Sequence, residues 1–169
     1  DVQEKLLPVM HKREELLKNL EILVEGALIL DIPIIWFEQY PKGLGRTVSS
    51  LREMLEAKGI KPLEKMTFSG APHPEFQAIL DQYDHVHLLV AGIETHVCVY
   101  QTVRDLLDAD IDVEVVSDAV SSRVESNIEL GLNKMIQLGA NLTSVEMALF
   151  ELMETAENPD FKAISKLIR

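Results

Sequence analysis

The chain's only cysteine, Cys98, lies in the stretch VAGIETHVCV, residues 90–99. A run rich in valine and leucine ends at Val90 and leads into Gly92; polar Glu94, Thr95 and His96 follow, and a helical pattern begins with YQTVRDLLDAD. A cysteine in the first turn of a helix, directly after a strand, sits close to unpaired backbone N–H groups and the positive end of the helix dipole. Both stabilise a thiolate. The chemistry of such a placement is nucleophilic attack. The competing reading is a small buried hydrophobe, the commoner role of a lone cysteine. Thr95 is a ready N-cap for the helix. His96, two residues from Cys98, points to another helix face and reads as a surface residue.

The elements around this junction follow from periodicity. Leu16, Leu17, Leu20, Leu23, Val24, Ala27 and Leu28 recur at three- and four-residue steps, which predicts an amphipathic helix over 11–30. IPIIWFEQ, residues 32–39, is short, apolar and branched and stops at Tyr40–Pro41, as a buried parallel strand does. A loop with Lys42 and Arg46 follows, then a short helix capped by Ser49 or Ser50 that ends near Gly59, and another helix after Pro72. Residues 85–93 read as a strand, Thr95 to Asp108 as a helix, 112–120 as a strand and Glu125 to Leu138 as a helix stopped by Gly139. LTSVEMALFELME supplies a short strand and a helix before a charged tail. This alternation predicts one domain over 1–169, a three-layer α/β/α sandwich with a parallel, doubly wound, Rossmann-like sheet of about five strands. In such sheets ligands bind beyond the carboxyl ends of the strands, where Gly92 to Cys98 falls.

Composition narrows the function. At 169 residues the chain is long enough to bury a substantial core, and 47% of it is hydrophobic. One cysteine makes no internal disulfide, which points to a reducing, intracellular, cytoplasmic setting, with a mitochondrial one left open by a chain that begins at Asp1 rather than methionine. A net charge of −12 opposes binding to nucleic-acid phosphates and anionic membranes, and no apolar run reaches the ~20 residues of a membrane-spanning helix. A small-molecule or protein partner is favoured. Met147, Leu149, Leu152 and Met153 on the last predicted helix suggest apolar surface to bury in a homo-oligomer. No Gly-x-Gly-x-x-Gly turn follows a strand, so mononucleotide binding is set aside. His73 stands alone between prolines, and His85 and His87 share a face of a strand that should be buried, without a third ligand, so none of them builds a zinc site.

GIETHVCV resembles the nucleophile motif of the isochorismatase-like cysteine hydrolases, and DVQEKL, EQYPKGLG, KMTFSG and VVSDAVSS match landmarks of that family in order along the chain. The resemblance implies a catalytic triad of Asp1, Lys65 and Cys98, and a cis peptide from Ile93 to Glu94. The oxyanion would be held by backbone N–H groups at Cys98 and at the Ile93–Glu94 turn. It places the chain with the thiol-dependent amide hydrolases of the family rather than with isochorismatases proper, which act on a vinyl ether without this cysteine. Gln39, Tyr40, Phe68 and Glu94 are the expected pocket residues. The Asp-x-His metal motif of nicotinamidase-like members is replaced by Phe37, Glu38, Gln39 and Tyr40, so neither a metal nor another cofactor is expected. In the family a central strand delivers the aspartate, and a sixth strand is therefore expected before Asp1. The function this implies is hydrolysis of a carbon–nitrogen bond in a small amide through a thioester. The alternative is a non-catalytic scaffold of the same fold that binds protein partners.

Overall fold

The computed structural model describes residues 1–169. In chain order they form a 3₁₀ turn (Leu7–Val9), α1 (Arg13–Ile29), β1 (Phe37–Gln39), α2 (Pro41–Leu44), α3 (Ser49–Ala57), β2 (Leu63–Lys65), α4 (Pro74–Leu80) and β3 (His87–Ile93). A π-helical turn (Thr95–Val99) then leads to α5 (Tyr100–Asp108), β4 (Asp112–Ser121), α6 (Glu125–Leu138), β5 (Asn141–Thr143), α7 (Val145–Met153) and α8 (Phe161–Leu167). No helix is long and apolar enough to cross a membrane.

All strand pairs are parallel, and the α/β architecture is the one the alternation predicts. The strands divide into two sheets, β1–β2 and β3–β4–β5. β4 shows how the layers are held. Val113 and Val115 point into one core with Phe76, Val103, Leu106 and Met135; Val116 points to the opposite side, into a core with Leu16, Leu20, Leu51, Leu149 and Ile164. Successive strand residues face opposite ways, so a continuous apolar run buries both faces at once. Each fully buried aliphatic side chain contributes roughly 1.5–3 kcal/mol, which fastens α1, α3, α7 and α8 to one face and α4, α5 and α6 to the other.

Between residues 32–37 and β3 lies a cavity of about 620 Å³, lined from one helix layer by Leu20 and Leu149 and from the other by Phe76 and Leu106. Two departures from the sequence reading lie along it. The strand expected over 32–39 is confined to Phe37–Gln39, the three residues that pair with β2, and Ile32–Trp36 line the cavity. β3 was expected to be buried throughout, yet Leu88–Ala91 are half-buried, since one edge pairs with β4 while the other faces the cavity. His85 and His87 are exposed, and His85 precedes the strand. The further strand expected ahead of Asp1 concerns positions outside the 169 described.

Two smaller differences are local. α3 takes Val48 rather than a serine as its N-cap, with Ser49 already in the helix and no side-chain cap bond. On α7, Met147 is exposed, but Leu149 and Met153 are buried at 0% and 3% and belong to the core, so two of the four expected surface residues drop out. α6 does end at Gly139, whose φ of 106° is the left-handed conformation that a helix stop favours.

Candidate active site

The candidate residues converge at the carboxyl ends of the strands. Asp1 is placed by the chain that follows it. The Gln3 carboxamide donates to the Gln39 carbonyl at 2.9 Å and accepts the Gln39 N–H at 2.8 Å, so it pairs with the edge of β1 as a strand residue would. Its amide also donates to the Gly45 carbonyl, and Val48 N–H donates to the Val2 carbonyl. Gln3 is completely buried, and this clamp fixes the direction in which Asp1 leaves Val2. Lys65 ends β2 directly opposite Gln39 in the β1 register.

The Lys65 ammonium is surrounded by oxygen. Nζ lies 2.8 Å from Asp1 Oδ2, 2.8 Å from Gln39 Oε1, 2.8 Å from the Phe68 carbonyl and 3.4 Å from the Thr67 carbonyl. The Lys65 and Asp1 side chains are only 3% and 4% exposed. Withdrawing two charges from water costs several kcal/mol per ion and is offset only when further hydrogen bonds complete the geometry; the three extra oxygens supply them. Asp1 Oδ1 is also buried and has no partner. A carboxylate held by a cation on one oxygen and unengaged on the other is equipped to take up and return a proton.

Cys98 is a free, half-buried thiol on the turn after β3. That turn is π-helical, a widened geometry common at functional sites, rather than the first turn of one continuous α-helix from Thr95. The Ile93–Glu94 peptide is cis. Asp1, Lys65 and Cys98 all line the cavity, where β2 and β3 end.

The remaining expected residues sort differently. Ile93 is 1% exposed, in the core beneath the turn. Gln39 is buried, with both ends of its amide engaged by Lys65 and the Met66 carbonyl, so it holds the cation instead of facing a ligand. Tyr40 and Phe68 are half-exposed, and both are tied to Lys65 through the backbone: Tyr40 N–H donates to the Lys65 carbonyl, and the Phe68 carbonyl accepts from Lys65 Nζ. Glu94 accepts from Arg123 Nε at 3.1 Å. Thr95 is not the helix cap: it is fully buried, its hydroxyl has no partner, and Glu94 occupies the cap position. The reason is α6, which passes so closely that a Cβ on Gly131 would lie 3.1 Å from Thr95 atoms. His96 is half-buried rather than on the surface, since Ser122 Oγ at the end of β4 meets its Nδ1 at 2.9 Å. Glu38 is buried with Oε1 accepting from Thr47 N–H and Oγ1, and Gln39 is occupied as described. His73 packs edge-on to Phe37 before α4.

This geometry sits in a chain whose residues 1–147 match the isochorismatase domain. The chain belongs to the isochorismatase family. The secreted isochorismatase effector Isc1 of Phytophthora sojae is 42% identical over all of this chain and 81% of its own length. Isochorismatase domain-containing protein 2 of Danio rerio is 36% identical over 99% of this chain and 83% of its own. Among solved structures, the MAR1 ribonuclease of Caenorhabditis elegans superposes with a TM-score of 0.92 at 40% identity, covering 99% of this chain and 85% of that one.

Within this candidate site the electrostatics of Lys65 have a measurable consequence. Burial lowers its pKa below the ordinary 10.5, while the charge of Cys98 and a hydrogen bond to it work in the opposite direction. The folded chain therefore releases this proton at lower pH than the unfolded chain. Between the two values the unfolded state binds more protons, and stability rises with pH. The burial penalty is present below the folded pKa and has gone above the unfolded one. Thermal melts of wild type and Lys65→Met should show the wild type gaining on the variant as pH rises toward about 10.4, the free lysine value. A gap that does not change with pH would contradict the shift.

Proposed function

We propose that the protein hydrolyses a carbon–nitrogen bond in a small amide through a thioester on Cys98. The observation that carries this reading is the buried Asp1–Lys65 pair beside the Cys98 thiol, at the end of the cavity where β2 and β3 stop. In the proposed reaction the unengaged Asp1 oxygen takes the thiol proton and Cys98 sulfur attacks the amide carbonyl. Backbone N–H groups at Cys98 and the Ile93–Glu94 turn hold the oxyanion, and Asp1 passes the proton to the departing amine as the carbon–nitrogen bond breaks. Water, losing a proton to Asp1, then attacks the thioester; the carboxylic acid departs and the thiol is restored. Lys65 keeps carboxylate and thiolate from standing together uncompensated. Tyr40, Phe68 and Glu94 are proposed to border the substrate, with Gln39 acting on Lys65.

Cys98 favours amide hydrolysis over the vinyl-ether reaction in the family's name, because a thiol nucleophile serves acyl transfer. The worm relative is named a ribonuclease; on this chain a net charge of −12 opposes a polyanionic substrate. Self-association belongs to the same proposal, with Met147 and Phe150 exposed on one face of α7 as its apolar surface.

The test is intact-protein mass spectrometry after brief incubation with a panel of small primary amides, an RNA oligonucleotide being assayed in parallel. An acyl increment on Cys98 that decays with product release supports the proposal. RNA cleavage that survives Cys98→Ala, with no acyl increment from any amide, would refute it.

A further inference from the structure

The nucleophile and its cation are carried by different segments. Cys98 lies on the turn that runs into α5, whereas the Lys65 ammonium is held in part by the carbonyls of Thr67 and Phe68, in the loop from Met66 to Ala71 after β2. Whatever fixes this loop to α5 sets the relation between sulfur and ammonium.

One side chain spans the two directly. The Thr102 hydroxyl donates to the Cys98 carbonyl at 2.7 Å and accepts the Gly70 N–H at 2.9 Å. A hydroxyl has one proton to give and lone pairs to receive, so both bonds form together. The bond back to the residue four positions earlier is ordinary for a threonine in a helix. The second bond, 32 residues away across the site, is not explained by helix formation. Thr102 also lines the cavity with Asp1, Lys65 and Cys98.

We propose that Thr102 is a positioning residue for the Cys98–Lys65 pair, its hydroxyl tying the nucleophile's own carbonyl to the loop whose carbonyls hold the ammonium. This rests on the reading of Cys98 and Lys65 given under Proposed function. Without the hydroxyl, Gly70 is released and Phe68 O, two residues earlier, moves relative to the sulfur. The loop itself stays attached, because Gln77 Nε2 donates to the Ala71 carbonyl at 2.6 Å and Thr67 Oγ1 donates to the Ser69 carbonyl at 2.8 Å. Thr102→Val therefore displaces the site without freeing the segment.

The experiment measures the rate of iodoacetamide labelling at Cys98 near neutral pH in the full chain, for wild type, Thr102→Val, Thr102→Ser, Lys65→Ala and the Thr102→Val/Lys65→Ala double variant. Thr102→Val should label on the order of tenfold to a hundredfold more slowly, the scale of a small misplacement of reacting groups. Thr102→Ser should regain most of the rate. The double variant should label no more slowly than Lys65→Ala, because Thr102 acts through Lys65. In the wild type, the Gly70 amide should be protected from hydrogen exchange, a readout that needs no variant to fold. A Thr102→Val rate equal to wild type, a serine variant as slow as the valine one, an undiminished Thr102→Val effect in the Lys65→Ala background, or a Gly70 amide exchanging like a free loop amide would each overturn the inference. Wild-type labelling that does not depend on Lys65 would overturn the reading of the site itself, and this inference with it.

Discussion

Cys98→Ala is expected to abolish amide hydrolysis, with a loss in kcat on the order of 10⁴-fold or more, the scale seen when a nucleophile is removed from a catalytic unit. The loss is chemical rather than structural. Cys98 is half-buried and its carbonyl, not its sulfur, accepts the Thr102 hydroxyl, so alanine keeps the turn's hydrogen bond and removes only the reacting atom. Cys98→Ser refines the test. Serine keeps the shape of the side chain, but a hydroxyl gives up its proton far less readily than a thiol, and the Asp1–Lys65 pair that suits a thiol does not ionise it. The serine variant should therefore be nearly as inactive as the alanine one, with an unchanged melting temperature. Amide hydrolysis at the wild-type rate in either variant would remove Cys98 from the mechanism. A protein that hydrolyses no amide, yet binds a partner protein equally well with and without Cys98, would instead match the scaffold alternative.

How far such a site can be read from sequence depends on the range of the interactions that build it. β4 and α6 were legible because they are written locally: the apolar run of Val113, Val115 and Val116 and the stop at Gly139 need no knowledge of distant residues, whereas Leu149 and Met153 of α7, expected at the surface, are buried by packing that the local pattern does not show. Cys98 was legible for a related reason, since the junction of β3 with a helical turn marks a position as well as a residue type. β2 was not, because three residues carry no periodicity and Leu63–Lys65 become a strand only by pairing with Phe37–Gln39.

The support around Asp1, Lys65 and Cys98 was the least visible part. Gln3 and Gln39 are 36 residues apart, and nothing in a polar residue near the start of a chain announces that its amide completes the edge of β1. Gln39, the last residue of the strand expected over 32–39, was expected to line the pocket; what decides its role is the lysine opposite it, whose ammonium donates to its oxygen. Thr95 and His96 were misread for the same reason, since α6 and the end of β4 arrive from more than 25 residues away to bury one and bond the other. Asp1 and Lys65, taken singly, are a first residue and a surface-type charge. Their pairing emerged only from resemblance, and the 2.8 Å contact is what the fold adds to it.

That contact sets up the second large effect. Asp1→Asn should lower kcat/KM by on the order of 10³- to 10⁴-fold, because an amide neither accepts a proton from the thiol nor returns one to the amine. Its geometry is favourable to a clean test: the side chain has the same size, its oxygen can still receive the Lys65 ammonium, and the Gln3 clamp that aims residue 1 is untouched. The substitution should thus leave a folded protein with Lys65 in place. Lys65→Ala should be comparably inactive for another reason, since it leaves a carboxylate that is 4% exposed without its cation, a change that typically costs about 3–5 kcal/mol of stability. Each variant leaves one buried charge without its counter-charge, so both should melt lower, but Asp1→Asn should fall less, because four oxygens can still receive the Lys65 ammonium. Because residues acting as one unit do not lose activity additively, the Asp1→Asn/Cys98→Ala double variant should be about as inactive as either single one. Steady-state kinetics on the amide that acylates Cys98 fastest make the comparison, with melting curves alongside. Near-normal turnover in a folded Asp1→Asn protein would take proton transfer away from Asp1 and leave its buried pairing with Lys65 as a structural ion pair.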